Sequence, residues 1–174
     1  FNIDETMLLR LGYSRTVSRP DFRELSPAVS VDVTGGRLRF GNPDLKRAQI
    51  DNFDLRWEWY FSKTENLSVG AFLKRFTDPI ETVVIPSAQL SVSYANAKGA
   101  LNLGGELEWR KDFGFIDYAL DDLYVSGNVA IIHSQVELSG EATTNTSKNR
   151  ALEGQSPYVI NAQLGYDNLD SKVN

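Results

Sequence analysis

The chain has 174 residues, a formal net charge of −5 and no cysteine. That length suffices for one sizeable core. The charge gives no overall basic footprint for nucleic acid, and the missing thiols exclude disulfides, zinc–thiolate sites and a cysteine nucleophile. No run reaches the ~18 apolar residues of a membrane-crossing helix. The mean hydropathy of −0.31 suggests a soluble protein, but a barrel strand spends half its positions on a polar lumen, which makes hydropathy a poor test. The chain starts at Phe1 without an initiator Met, and we expect a piece of a longer protein.

Residues 5–17 alternate, with Met7, Leu9, Leu11, Tyr13 and Val17 on one face and Thr6, Arg10, Gly12, Ser14 and Thr16 on the other. Leu8 and Arg15 break the pattern, yet the period of two predicts a long strand. Pro20 and Pro27 then mark a loop. Ala28–Phe40 reads as a small hairpin, with alternating Val29, Val31 and Val33, a Gly35–Gly36 turn and a return through Arg37–Phe40. Asn42–Pro43 marks a further break. The interval 18–49 is too long for a simple hairpin loop.

Ile50–Phe61 is the most regular stretch. Phe53, Leu55, Trp57, Trp59 and Phe61 share one face, and Asp54, Arg56 and Glu58 share the other. Globular strands usually run about 5–6 residues, whereas a tilted strand crossing a bilayer needs roughly 9–11. An edge strand of a soluble sandwich and a membrane strand remain equally open on this stretch alone. A polar turn at 62–66 leads into a strand over 67–75. A turn centred on Thr64 sets Trp57 against Ala71, Trp59 against Val69 and Asp54 beside Lys74, and it leaves Phe72 on the polar face without a reason.

PIETVVIP is expected to continue that strand before Pro86 bends it. Residues 99–111 form the next strand, with Leu101, Leu103, Leu107 and Trp109 on one side and Asn102, Gly104, Glu106, Glu108 and Arg110 on the other. DFGFIDYALDD (112–122) is a connection with room for one helical turn. Strands follow over 123–137 and 158–168, separated by a polar loop at 140–157. The six long strands are joined by connections that alternate in length: long at 18–49, 78–98 and 138–157, shorter at 62–66 and 112–122. Outer-membrane barrels alternate in this way, with short periplasmic turns and long extracellular loops; sandwich loops need not. The reading is an all-β, antiparallel transmembrane barrel segment, with 62–66 in the periplasm and 18–49 outside the cell. Strand glycines, costly in an isolated sheet, suit a wall that curves or is closely packed.

Four segments resemble one family. SRTVSRPDFRELSP (14–27), GNPDLKRAQIDNFDLRWEWYF (41–61), FLKRFTDPIE (72–81) and NAKGALNLGGELEWRKDF (96–113), the last with Asn96, Ala100, Gly104 and Glu106, are similar in kind and order to the late barrel of TonB-dependent outer-membrane receptors. The resemblance implies a barrel of about 22 strands with a plugged lumen, of which the whole chain, 1–174, is part of a single barrel domain. It implies uptake of a scarce ligand (a ferric siderophore, a cobalamin-like cofactor or an oligosaccharide) across the outer membrane of a Gram-negative cell. The implied partners are outer-membrane lipid, the imported ligand, the protein's own plug domain and, through that plug, the TonB complex. Plug, TonB box and terminal strands are not in this sequence.

The residues that carry chemistry are weighed against plainer roles. His133 is the only histidine, so a histidine-based triad must be built on it; a packing or interfacial role is favoured. Glu106 and Glu108 form an acid/base pair on paper, but Asp54, Arg56, Glu58, Lys74 and Arg110 beside them read as a lumen wall. Trp57, Trp59, Phe61 and Trp109 read as lipid-facing girdle. For ligand contact the candidates are Arg37, Arg39, Phe40 and Tyr94, since arginine binds anions bidentately and rings stack, although mixed loop charges more often form weak surface pairs. The RPDFREL segment is read as a structural tie to the barrel rim. No enzymatic step, cofactor or metal is expected. A passive porin-like channel and a soluble sandwich binding module are the alternatives.

Overall fold

The computed structural model describes residues 1–31, 37–85, 91–138 and 149–167. Gly35–Gly36 and Pro86 lie outside the described residues, as does Asn168. The elements in chain order are β1 (Met7–Ser18), α1 (Phe22–Leu25), β2 (Ser30–Val31), β3 (Leu38–Arg39), β4 (Ala48–Tyr60), β5 (Asn66–Thr77), β6 (Ile80–Ile85), β7 (Ser91–Asn96), β8 (Gly99–Asp112), β9 (Leu123–Glu137), β10 (Asn149–Arg150) and β11 (Tyr158–Tyr166). Two single 3-10 turns, Phe113–Phe115 and Tyr118–Leu120, stand between β8 and β9 where one helical turn was expected.

All six long strands form, at lengths of 9 to 15 residues. They make one antiparallel sheet in the order β1-β4-β5-β8-β9, with β10 and β11 both on β9. The register sums the alternation of each strand into two continuous faces. Leu11, Leu55, Ala71, Gly105, Ile131 and Tyr158 lie along one row of the apolar face. That face is open to its surroundings: Leu11 is 66% exposed, Leu103 50%, Ile131 68% and Leu164 70%. A water-soluble sheet buries such a face; this one leaves it bare on strands in the middle of the sheet as well as at its edges.

The β4–β5 register corrects the expectation. Trp57 opposes Val69 and Trp59 opposes Leu67, so Asp54 faces Phe72 while Lys74 faces Asn52. The turn closes one residue earlier, because Ser62 Oγ accepts the backbone N–H groups of Thr64 and Glu65 at 3.3 and 3.2 Å. A slip of two residues keeps every side chain on its face, which is why the faces were right and the partners wrong. Phe72 now has its reason. A Cβ at Gly104, its partner on β8, would lie 2.7 Å from Phe72 Cε1 and closer still to Cζ. The ring lies across the glycine and fills the space a side chain would take.

A second, four-stranded sheet stands at the loop end, in the order β2-β3-β7-β6. PIETVVIP does not continue β5. The chain turns at Asp78, whose φ is +52°, and β6 pairs with β7 as a hairpin. The predicted hairpin of the first long interval is present as β2–β3, and β3 runs parallel to β7. Two long connections thus share one sheet.

Candidate functional site: the charged face and the loop sheet

The polar face of the main sheet carries a linked set of charges. Glu58, only 5% exposed, takes Arg56 Nε at 2.9 Å, Arg10 Nε at 3.2 Å and the Tyr60 hydroxyl at 2.8 Å. Arg56 also holds Glu108. One carboxylate meeting two guanidiniums and a phenol satisfies the lone pairs that burial would leave expensive. Arg110 lies 3.6 Å from the centre of the Tyr124 ring and pairs with Asp167 at 3.2 Å. Lys74 sits over Phe72 at 5.7 Å, while Asp54 faces Gly12 and Glu106 faces Gly70. The seven polar residues expected to share a face therefore do so, but only Arg56, Glu58 and Glu108 touch one another. Arg10 and Tyr60 complete the cluster and were not singled out, although Arg10 stood on the correct face.

On the apolar face, Trp57 and Trp59 lie 6.2 Å apart and Trp59 meets Phe61 edge-on at 4.3 Å. Trp109 shares their face through Leu67 and Val69 of β5. His133 is on this same side, exposed, opposite Leu103. It is separated by the sheet from Glu106 and Glu108.

At the loop end, Arg39 donates to the Tyr94 hydroxyl at 3.1 Å and its guanidinium stands 5.9 Å from that ring. Tyr94 is 8% exposed, so little of the ring is left to stack on a ligand. Phe40 is half-buried, with its N–H on the Val92 carbonyl at 3.1 Å, and Arg37 is exposed. The geometry joins Arg39 with Tyr94 and leaves Arg37 outward.

RPDFREL is a clasp. Asp21 caps α1 and Glu24 reaches back to the Asp21 N–H at 2.9 Å, a capping box. The GNP turn then docks on it, Gly41 N–H to Ser26 O at 2.8 Å and Asn42 N–H to Glu24 O at 2.6 Å. A Cβ on Gly41 would lie 2.6 Å from the Glu24 carbonyl, so only glycine permits the approach. Asn96 fastens the other loop: it accepts from Lys46 N–H at 2.8 Å and donates to Lys46 O and Asp78 O at 3.0 and 2.7 Å.

The segment from Arg150 to Gln155 lies against the charged face near the loop sheet. Leu152 packs on a small core of Ala97, Ala100, Val136 and Leu138. Its N–H donates to Ser134 Oγ at 3.1 Å, and Gln155 accepts from Asn102 at 3.3 Å. Arg150 pairs with Glu81 at 2.7 Å. Glu81 is 4% exposed; burial pushes its carboxyl above the usual range, against the pull of Arg150. Between this segment and the first loop is a cavity of about 320 Å³, lined in part by Arg19, Asp21, Glu24, Glu81 and Leu152. Among the described residues no group of His, Cys, Asp and Glu is placed to hold a metal ion.

A barrel wall is the class this sheet defines, with one apolar face, one charged face, short turns at one end and folded loops at the other. The family model for the β-barrel of TonB-dependent receptor-like proteins matches residues 1–172, and the chain belongs to that family. Among solved structures, the siderophore receptor PirA from Pseudomonas aeruginosa is similar with a TM-score of 0.68 at 16% identity, over 95% of this chain and 29% of that one. PirA from Acinetobacter baumannii is similar with a TM-score of 0.63 at 18% identity, over 97% of this chain and 26% of that one. No curated relative matches. The chain is therefore a segment of an antiparallel transmembrane barrel, and it spans under a third of the structures it resembles.

Proposed function

We propose that the segment serves as wall and outer vestibule in an outer-membrane receptor that imports a scarce ligand, with a ferric siderophore as the first class to test. The carrying observation is the division of one sheet into a bare apolar face and a linked charged face, crowned by a loop sheet built from two connections. The lipid faces the first, and the lumen, with the protein's own plug, faces the second. Turns 62–66 and 112–122 then lie in the periplasm and the loop sheet outside. The loop sheet and the cavity below it, with Arg19 and Arg39 nearby, meet the ligand. TonB acts through the plug, and the segment contributes no catalytic step. The family of the chain and its likeness to two siderophore receptors favour a receptor over a passive porin. The test is uptake of iron-55 carried by catecholate and hydroxamate siderophores in cells expressing the full-length parent. Uptake that is lost on deletion of TonB supports the reading; solute entry that ignores TonB supports the porin.

A further inference from the structure

We infer that the β8–β9 connection is an anchor in the bilayer interface, with the headgroup–acyl boundary of the phospholipid leaflet as its partner; this rests on the barrel reading proposed above. The connection carries Phe115, Ile116 and Tyr118 at 68%, 63% and 87% exposure. An aqueous turn has no use for three such side chains; the β4–β5 turn at the same end is Ser-Lys-Thr-Glu. Their exposure is not an edge effect, because β8 and β9 are flanked by β5 and β11.

The patch continues the apolar face. Lys111 opposes Val125 in the same register that sets Trp109 outward, and its ammonium lies 5.4 Å from the Phe115 ring. Phe113 stacks with Phe115 at 6.5 Å. The Trp57–Trp59–Phe61 belt ends at the same level of the sheet, so the aromatic zone runs past the strand end into the connection. The connection is also held in shape. Ile116 N–H bonds the Phe113 carbonyl at 2.9 Å, and Asp117 caps the second turn through Ala119 N–H at 2.9 Å. Asp112, Asp121 and Asp122 line a cleft of about 590 Å³ with Asp167, and Lys111 and Phe115 line it too, whereas Ile116 and Tyr118 do not. A connection whose exposed Ile116 and Tyr118 stand outside that cleft, at the level where the Trp57–Trp59–Phe61 belt ends, matches the chemistry of the membrane interface, where rings sit at headgroup level.

The test uses the full-length parent in phospholipid vesicles, with a single environment-sensitive fluorophore on Ile116→Cys, on Leu103→Cys in the middle of the apolar face, or on Lys63→Cys in the polar turn. Quenchers are a phospholipid with a nitroxide at the headgroup or mid-chain, and iodide on both sides of the membrane. The expected result is that the Ile116 probe loses more than about half its emission to the headgroup nitroxide and little to iodide. Iodide quenching as strong as at Lys63, or protection from both quenchers as under a protein partner, overturns the anchor. Lipid quenching at Leu103 without it at Ile116 sinks the anchor alone; its absence at Leu103 sinks the barrel reading with it.

Discussion

At Glu81 burial and charge pairing pull in opposite directions. A carboxyl whose value is raised by folding favours the folded state while protonated and loses that contribution as pH rises through the raised value. Glu65, outside the strands, is the reverse case: its hydrogen bond from Lys111 lowers it, so its contribution is present at neutral pH and lost as pH falls through the lowered value. Two outcomes follow for the loop end. Arg150→Ala leaves a buried carboxylate unpaired and costs about 3 kcal/mol, the low end for such a pair because Arg150 keeps 31% side-chain exposure. Glu81→Gln is near neutral at pH 7 and flattens the pH dependence of hydrogen exchange in β6; equal costs for the two variants would refute the account. Gly41→Ala forces two backbones apart and should loosen the first loop by about 1–3 kcal/mol, read as faster proteolysis between Arg19 and Arg47.

The strands were legible because their signal is local. Alternation over a dozen residues needs no knowledge of partners, and both faces of β4, β5 and β8 were assigned correctly from it. Pairing was less legible: the two-residue slip between β4 and β5 preserves the faces, and the turn that sets the register is closed by the Phe61 N–H on the Glu65 carbonyl and by the Ser62 hydroxyl, which no alternation reveals. Of the loop sheet, the β2–β3 hairpin was legible and its joining to β6 and β7 was not. β3–β7 pairing is parallel and joins two connections far apart in the sequence, so no local pattern announces it. Arg150 and Glu81 stand 69 residues apart, and nothing in either neighbourhood points to the other. The two-faced sheet makes its own prediction. Leu103→Arg, on the apolar face, should cost about 2–4 kcal/mol in folding into vesicles if it stands near mid-bilayer. Glu106→Arg, on the opposite face of the same strand, should cost much less. Equal costs would mean that lipid does not meet the Leu103 side.

For the whole molecule, the segment accounts for a stretch of barrel wall and for the folded loops at one of its ends. Those loops are the loop sheet, where two connections are fastened by the Gly41 clasp and by Asn96, and the Arg150–Gln155 limb that lies against the charged face. The Glu81–Arg150 ion pair is the joint between that limb and the loop sheet. Single cysteines placed in turn at Ala100 through Arg110 in the full-length parent, in native outer membranes, show whether one face meets lipid and the other a lumen. The expected result is that a water-soluble maleimide spares Leu101, Leu103, Gly105, Leu107 and Trp109, while a lipid-borne nitroxide reaches them. Labelling by the water-soluble reagent at every position, with no period of two, would contradict it.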